Sequence, residues 1–97
     1  MDITILELKQ KIEAGEALRF IDVREEYEYE EFNLGAKLIP LGELADRLNE
    51  IEDWKTEEVI VHCRSGARSG RAKAFLEAEG FENVRNLLGG VLAWNEL

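Results

Sequence analysis

The chain has 97 residues, 45% hydrophobic and 34% charged, with eight Gly and one Pro, a globular composition with room for one domain over residues 1–97 and one core. Twelve Lys and Arg stand against 21 Asp and Glu, a net charge of −9; a field of that sign repels a phosphate backbone, so nucleic acid is not an expected partner. One Cys and one His, the neighbours Cys63 and His62, exclude an internal disulfide and a four-ligand structural zinc site, so no metal is expected.

In chain order, a short strand at Ile3-Thr4-Ile5 leads into a helix whose Ile5, Leu8 and Ile12 share one face and which Gly15 stops. Leu18 to Val23 reads as a buried strand. Glu25 to Glu31 holds five acids and two tyrosines, a short surface helix with a solvated face. Lys37-Leu38-Ile39 is a strand stopped by Pro40, and Leu41, Leu44, Ala45 and Leu48 then line a helix. Val59 to His62 is the strongest strand signal. After a turn at Ser65-Gly66 comes a helix with Ala72, Phe75 and Leu76 on one side, closed by Gly80 with Phe81 set to meet Leu76. Val84 to Leu88 supplies a fifth strand, Gly89-Gly90 a turn, and Val91, Leu92 and Trp94 a short last helix. Strands alternating with helices predict an α/β fold: a five-stranded, mainly parallel sheet with helices on both faces. No apolar run approaches a membrane span and no basic start precedes a signal-length apolar run, so a cytoplasmic protein without membrane contact is expected.

Ligands of such sheets bind at the carboxyl ends of the strands. Three features fall there: Asp22-Val23-Arg24, the run from His62 to Ser69, and Gly89-Gly90. The charge is also uneven. Met1 to Val61 carries 7 bases and 17 acids, His62 to Lys73 carries four bases and no acid, and Ala74 to Leu97 one base and four acids. The only cysteine lies in the only cationic segment. At a strand-to-helix turn, free amide N–H groups point back at its sulfur, and with Arg64 and Arg68 they favour the thiolate. Cys63 is therefore a candidate nucleophile. His62 alternates to the opposite face of its strand, so a direct His–Cys pair is not expected. Ser65 and Ser69 could donate hydroxyls to a bound sulfur or oxyanion, or serve as turn and helix-start residues. There is no second cysteine for a disulfide relay and no nucleotide-binding glycine pattern, so no cofactor is expected. A lone thiolate ringed by N–H donors suits attack on an anionic substrate, by sulfur or phosphoryl transfer.

The residues Asp22-Val23-Arg24-Glu25, Tyr27-Glu28, Gly35-Ala36, Ile39-Pro40-Leu41, Val61 to Ser69, Gly80-Phe81 and Leu88-Gly89-Gly90 with Trp94 together resemble a single-domain rhodanese over nearly the whole chain. The resemblance implies a three-layer α/β/α sandwich with a five-stranded sheet, and sulfurtransferase activity of the thiosulfate type through a cysteine persulfide. Carried over, Cys63 accepts the sulfur from a small anionic donor such as thiosulfate. The loop residues Arg64, Ser65, Gly66, Ala67, Arg68 and Ser69 hold the persulfide with their amides. A thiol, cyanide or a protein thiol then takes the sulfur. Asp22 and Arg24 match the family's first motif, and the resemblance implies that they organise the loop scaffold rather than react.

Two departures stand out. Where many members carry Gly-His-Ile-Pro-Gly-Ala, this chain has Glu31-Phe32-Asn33-Leu34-Gly35-Ala36, and Ala67 stands where a basic residue is frequent. Two other functions compete: a non-enzymatic rhodanese-like module that binds a partner or relays sulfur, and a cysteine phosphatase of the same fold. The phosphatase loop is one residue longer than the four residues between Cys63 and Arg68.

Overall fold

Alternation of apolar side chains along the central strands divides the core in two. Ile21, Val23, Val59, Val61 and Cys63 belong to a larger cluster with Ile39, Leu44, Ile51, Ala72, Leu76, Phe81 and Val84. Phe20 and Ile60, their sequence neighbours, point the other way and pack with Ile3, Leu8, Ala36 and Leu87. The computed structural model describes all of residues 1–97.

The elements are α1 (Ile5–Glu13), β1 (Phe20–Asp22), α2 (Glu26–Glu31), β2 (Lys37–Leu38), 3₁₀ segments at Leu41–Glu43 and Ala45–Trp54, β3 (Glu58–His62), α3 (Ala67–Ala78), β4 (Asn83–Asn86) and α4 (Gly90–Trp94). The sheet runs β2-β1-β3-β4 with every pairing parallel. Helix α3 and the 3₁₀ segments cover the face of the larger cluster, and α1 and α4 the other, which gives the expected three layers. No helix is long and apolar enough to cross a membrane.

The sheet has four strands rather than the five expected. Ile3 contributes one parallel bridge to Leu87, donating to Asn86 O and accepting from Leu88 N, each at 3.0 Å. The strand ends there because Thr4 caps α1, its Oγ1 accepting from Glu7 N at 3.1 Å, and a capping residue cannot also extend a ladder. The segment after Pro40 also departs from expectation. Its apolar residues do face the core, Leu44 and Ile51 fully, but the backbone is 3₁₀ with non-helical angles at Arg47 and Ile51. Gly42, Asp46 and Asn49 are weak helix formers, and the packing of single side chains wins over the ladder. Helix α3 ends as expected: Phe81 N donates to Leu76 O at 3.0 Å and Gly80 N to Glu77 O at 3.1 Å, the two bonds of a Schellman cap.

Strand order determines where a ligand can sit. From β1 the chain moves to one side to form β2, then crosses to the other side for β3. The carboxyl ends of β1 and β3 therefore flank the point where the winding reverses, which is where open α/β sheets have a crevice. Asp22 closes β1 and Cys63 follows β3 at this point.

Candidate active site

Cys63 leaves β3 on the α3 side of the sheet, 1% exposed. The backbone then curls through Gly66, at φ +105°, into the first turn of α3, a left-handed turn that glycine adopts without strain. That curl turns amides inward. Cys63 Sγ accepts from Gly66 N at 3.1 Å and Ser69 N at 3.4 Å, and lies 3.3 Å from Ser69 Oγ. Burial pushes the thiol up, but the Ser69 hydroxyl and the amides of Ser69, Gly66 and Ser65 outweigh it and bring it below its ordinary value. The sulfur sits in a ring of donors able to stabilise an anion.

The outer side of the loop is held by α4. Val91 N donates to Cys63 O and Leu92 N to Arg64 O, both at 3.0 Å, so the first two loop carbonyls point away from the sulfur. This close approach depends on Gly90, whose φ is +56°. A Cβ there would lie 2.6 Å from Arg64 O and closer still to Cys63 O. Gly90→Ala should therefore cost about 2–5 kcal/mol, combining left-handed strain with overpacking. Gly35→Ala, at φ +83° with open space around it, should cost only the strain, about 1–2 kcal/mol. Urea denaturation of the two variants checks the difference, and equal losses would show that the loop shifts freely to admit the methyl group.

The structure distributes the cations unevenly. Arg64 is exposed at the mouth of the loop, as are Ser65 and Ala67. Arg68 closes on Glu28 through two bonds of 2.7 and 2.9 Å, and its guanidinium holds the Glu28 carboxyl at about 2. Arg68 is thus largely neutralised, and the pair ties the start of α3 to α2. Behind it, Asp22 is fully buried and Arg24 is 4% exposed. Arg24 donates to Asp22 Oδ1 and Oδ2 through Nε, both at 3.1 Å, and to Oδ2 through Nη2 at 2.8 Å. It also reaches Phe32 O at 2.7 Å and Glu28 O at 3.4 Å, which pins α2 against the end of β1.

His62 lies on the opposite face from Cys63, as strand alternation requires, tilted against Phe20 at 4.9 Å between ring centroids. Its Nε2 is 3.5 Å from Asp22 Oδ2, and neither ring nitrogen has a hydrogen-bond partner. Burial drives the imidazole down to about 4 from 6.5, against the pull of the Asp22 carboxylate. A folded value below the unfolded one means that stability is fully present above about pH 6.5 and declines as the pH falls toward 4, by up to about 3 kcal/mol. His62→Phe should flatten that interval of a stability-versus-pH curve. An unchanged slope would assign the proton uptake to another group.

Two contributors escape the sequence reading. Glu28 looked like one more acid of a solvated helix, although Tyr27-Glu28 belonged to the matched motif. Asn86, at the end of β4, lies inside the strand expected over Val84 to Leu88; the available signal was a polar amide side chain within that strand. A separate groove of about 260 Å³ is lined by Leu41, Leu44, Ala45, Arg71 and Phe75, and none of residues 63–69 lines it.

The family profile described as Rhodanese-like domain matches residues 4–97. YtwF of Bacillus subtilis, named as a candidate sulfurtransferase, is 37% identical over 94 residues, covering 96% of this chain and 88% of YtwF. YrkF of the same organism, named as a candidate sulfur carrier protein, is also 37% identical over 94 residues, but this chain spans only 50% of its length. The crystal structure of a rhodanese-like domain protein from Staphylococcus aureus superposes with a TM-score of 0.86 at 35% identity, covering 97% of this chain and 91% of that one.

Proposed function

The chain belongs to the rhodanese-like domain family, with relatives among sulfurtransferases and sulfur carriers, and from that premise we propose that it transfers a sulfane sulfur through a persulfide on Cys63. The Cys63 thiolate attacks the outer sulfur of a thiosulfate-like donor. A bond forms between Sγ and that sulfur, the donor's S–S bond breaks, and sulfite leaves with the electron pair. A thiophilic acceptor, cyanide or a thiol, then attacks the outer sulfur and returns Cys63 to the thiolate. Both steps are displacements at sulfur and need no external oxidant or cofactor.

The observation that carries this reading is the pair of amides that donate to Sγ at 3.1 and 3.4 Å, with the Ser69 hydroxyl 3.3 Å away, at the point where the sheet's winding reverses. The amides of residues 64 to 69 receive the charge on the outer sulfur, Arg64 offers an unpaired positive charge to an arriving anion, and Arg68 with Glu28 braces the loop. Asp22 and Arg24 hold the scaffold. A protein thiol fits as acceptor, because the loop mouth is formed by exposed residues rather than by a deep pocket.

Intact-mass measurement after incubation with thiosulfate tests the intermediate. The protein should gain the mass of one sulfur atom, and cyanide should remove it as thiocyanate. An unmodified protein across several sulfane donors would overturn persulfide chemistry and leave a module that only binds its partner.

A further inference from the structure

Asn86 is 9% exposed and ends the strand beside the one that delivers Cys63. Its Nδ2 donates to Gly66 O at 3.1 Å. A backbone carbonyl can only accept, so the NH₂ group must face Gly66, and Oδ1 must face Ser69 Oγ at 2.5 Å. Oδ1 is itself only an acceptor. The single hydroxyl hydrogen of Ser69 therefore points at Asn86, and the hydroxyl turns a lone pair toward Cys63 Sγ, 3.3 Å away. A lone pair welcomes S–H and opposes S⁻. When the sulfur is charged, the preference reverses: the hydrogen swings to Sγ and leaves Asn86 Oδ1 without its donor. One hydrogen cannot serve both acceptors.

We propose that Asn86 is a positioning residue that sets the ionisation of Cys63 by competing with its sulfur for the hydroxyl hydrogen of Ser69. Ser69 loses no proton; only the direction of its O–H bond changes, and the thiol proton goes to solvent. Two amides remain on the sulfur in either state, so Asn86 tunes the thiolate without creating it. The charged groups facing this end of the site are Arg64 on the loop and Arg68 on α3, closed on Glu28 of α2. Behind Asn86, Asp2 pairs with Lys73 at 2.7 Å. None of them is bonded to the Asn86 side chain. The proposal rests on Cys63 being the reacting sulfur, and its test does not depend on sulfur transfer.

The test is the rate of Cys63 alkylation by iodoacetamide as a function of pH, read from the only cysteine of the chain. Asn86→Ala releases the hydroxyl to the sulfur and should lower the midpoint by about half to one pH unit, a three- to tenfold gain in thiolate below it. Asn86→Asp keeps the size but offers a stronger, charged acceptor, and should raise the midpoint, by more with Ser69 present than in a Ser69→Ala background, where only charge repulsion remains. In a Ser69→Ala background the Asn86→Ala shift should disappear, because the shared hydrogen is gone. A merely structural role would move both Asn86 variants in the same direction and persist without Ser69; either result, or an unmoved midpoint, overturns the proposal. Sulfur loading of the unmutated protein is scored separately by mass. Opposed shifts with no loading would sink the persulfide and keep the positioning role, while loading without opposed shifts would do the reverse.

Discussion

Cys63→Ser should reduce thiocyanate formation to background, a loss of at least about 10³-fold of the kind that follows removal of a nucleophile. The serine hydroxyl stays protonated near neutral pH, so the donors that favour a thiolate have no anion to stabilise. Serine also has no sulfur on which to hold a second sulfur by an S–S bond. The fold should survive the change. Cys63 is almost fully enclosed, yet a serine oxygen can accept from Gly66 N and Ser69 N much as the sulfur does, and the net change in stability should stay within about 1–2 kcal/mol. Turnover and circular-dichroism melting, measured together, separate these effects. Because no other cysteine exists in the chain, a variant that still gained the mass of one sulfur would refute cysteine as the carrier.

Asp22→Ala should destabilise the fold strongly, by about 3–5 kcal/mol, because it leaves the Arg24 guanidinium buried without its counter-charge. Total stability of a domain this size is only about 5–15 kcal/mol, so urea midpoints should fall steeply. The carboxylate also accepts from Arg24 N at 2.9 Å, a bond lost with the charge. Damage would spread along a defined route: Arg24 holds the α2 carbonyls of Glu28 and the Phe32 carbonyl just beyond, and Glu28 in turn holds Arg68 at the start of α3. Sulfur transfer should fall in the fraction that stays folded. Glu43→Ala is the matching control. It removes a partner of Arg47 whose side chain is 58% exposed, and it should scarcely move the midpoint. Equal losses in the two variants would show that burial does not strengthen the Asp22–Arg24 pair.

The site was legible in the sequence where its parts are contiguous. Cys63, Gly66, Arg68 and Ser69 lie within seven positions, and a strand-to-helix turn converts that order directly into amides facing a sulfur. Two-residue alternation was enough to send His62 away from Cys63, as its contact with Phe20 of the smaller cluster bears out. Pairings between distant segments were not legible. Glu28 and Arg68 are 40 residues apart, and no local pattern distinguishes the acid that meets an arginine from the acids beside it that meet water. Asn86 reaches the loop only because β4 lies next to β3, a fact of topology. The first expected strand, Ile3-Thr4-Ile5, shrank to a bridge because Thr4 suits a helix cap as well as a strand, and that choice depends on where α1 docks. Leu41, Leu44 and Leu48 showed the right faces but not the backbone, since α and 3₁₀ turns place such residues similarly over so short a span.

The grip of α4 on the carbonyls of Cys63 and Arg64 also bears on timing. During synthesis the segment that carries the cysteine emerges well before residues 90–92, and a chain made from its amino end folds as its parts become available. Until α4 docks, those two carbonyls lack these partners, and the loop is held only from the side of α3 and β4. The amides that face the sulfur are thus made with the cysteine itself, while the brace on the outer side of the loop arrives about 27 residues later, with α4.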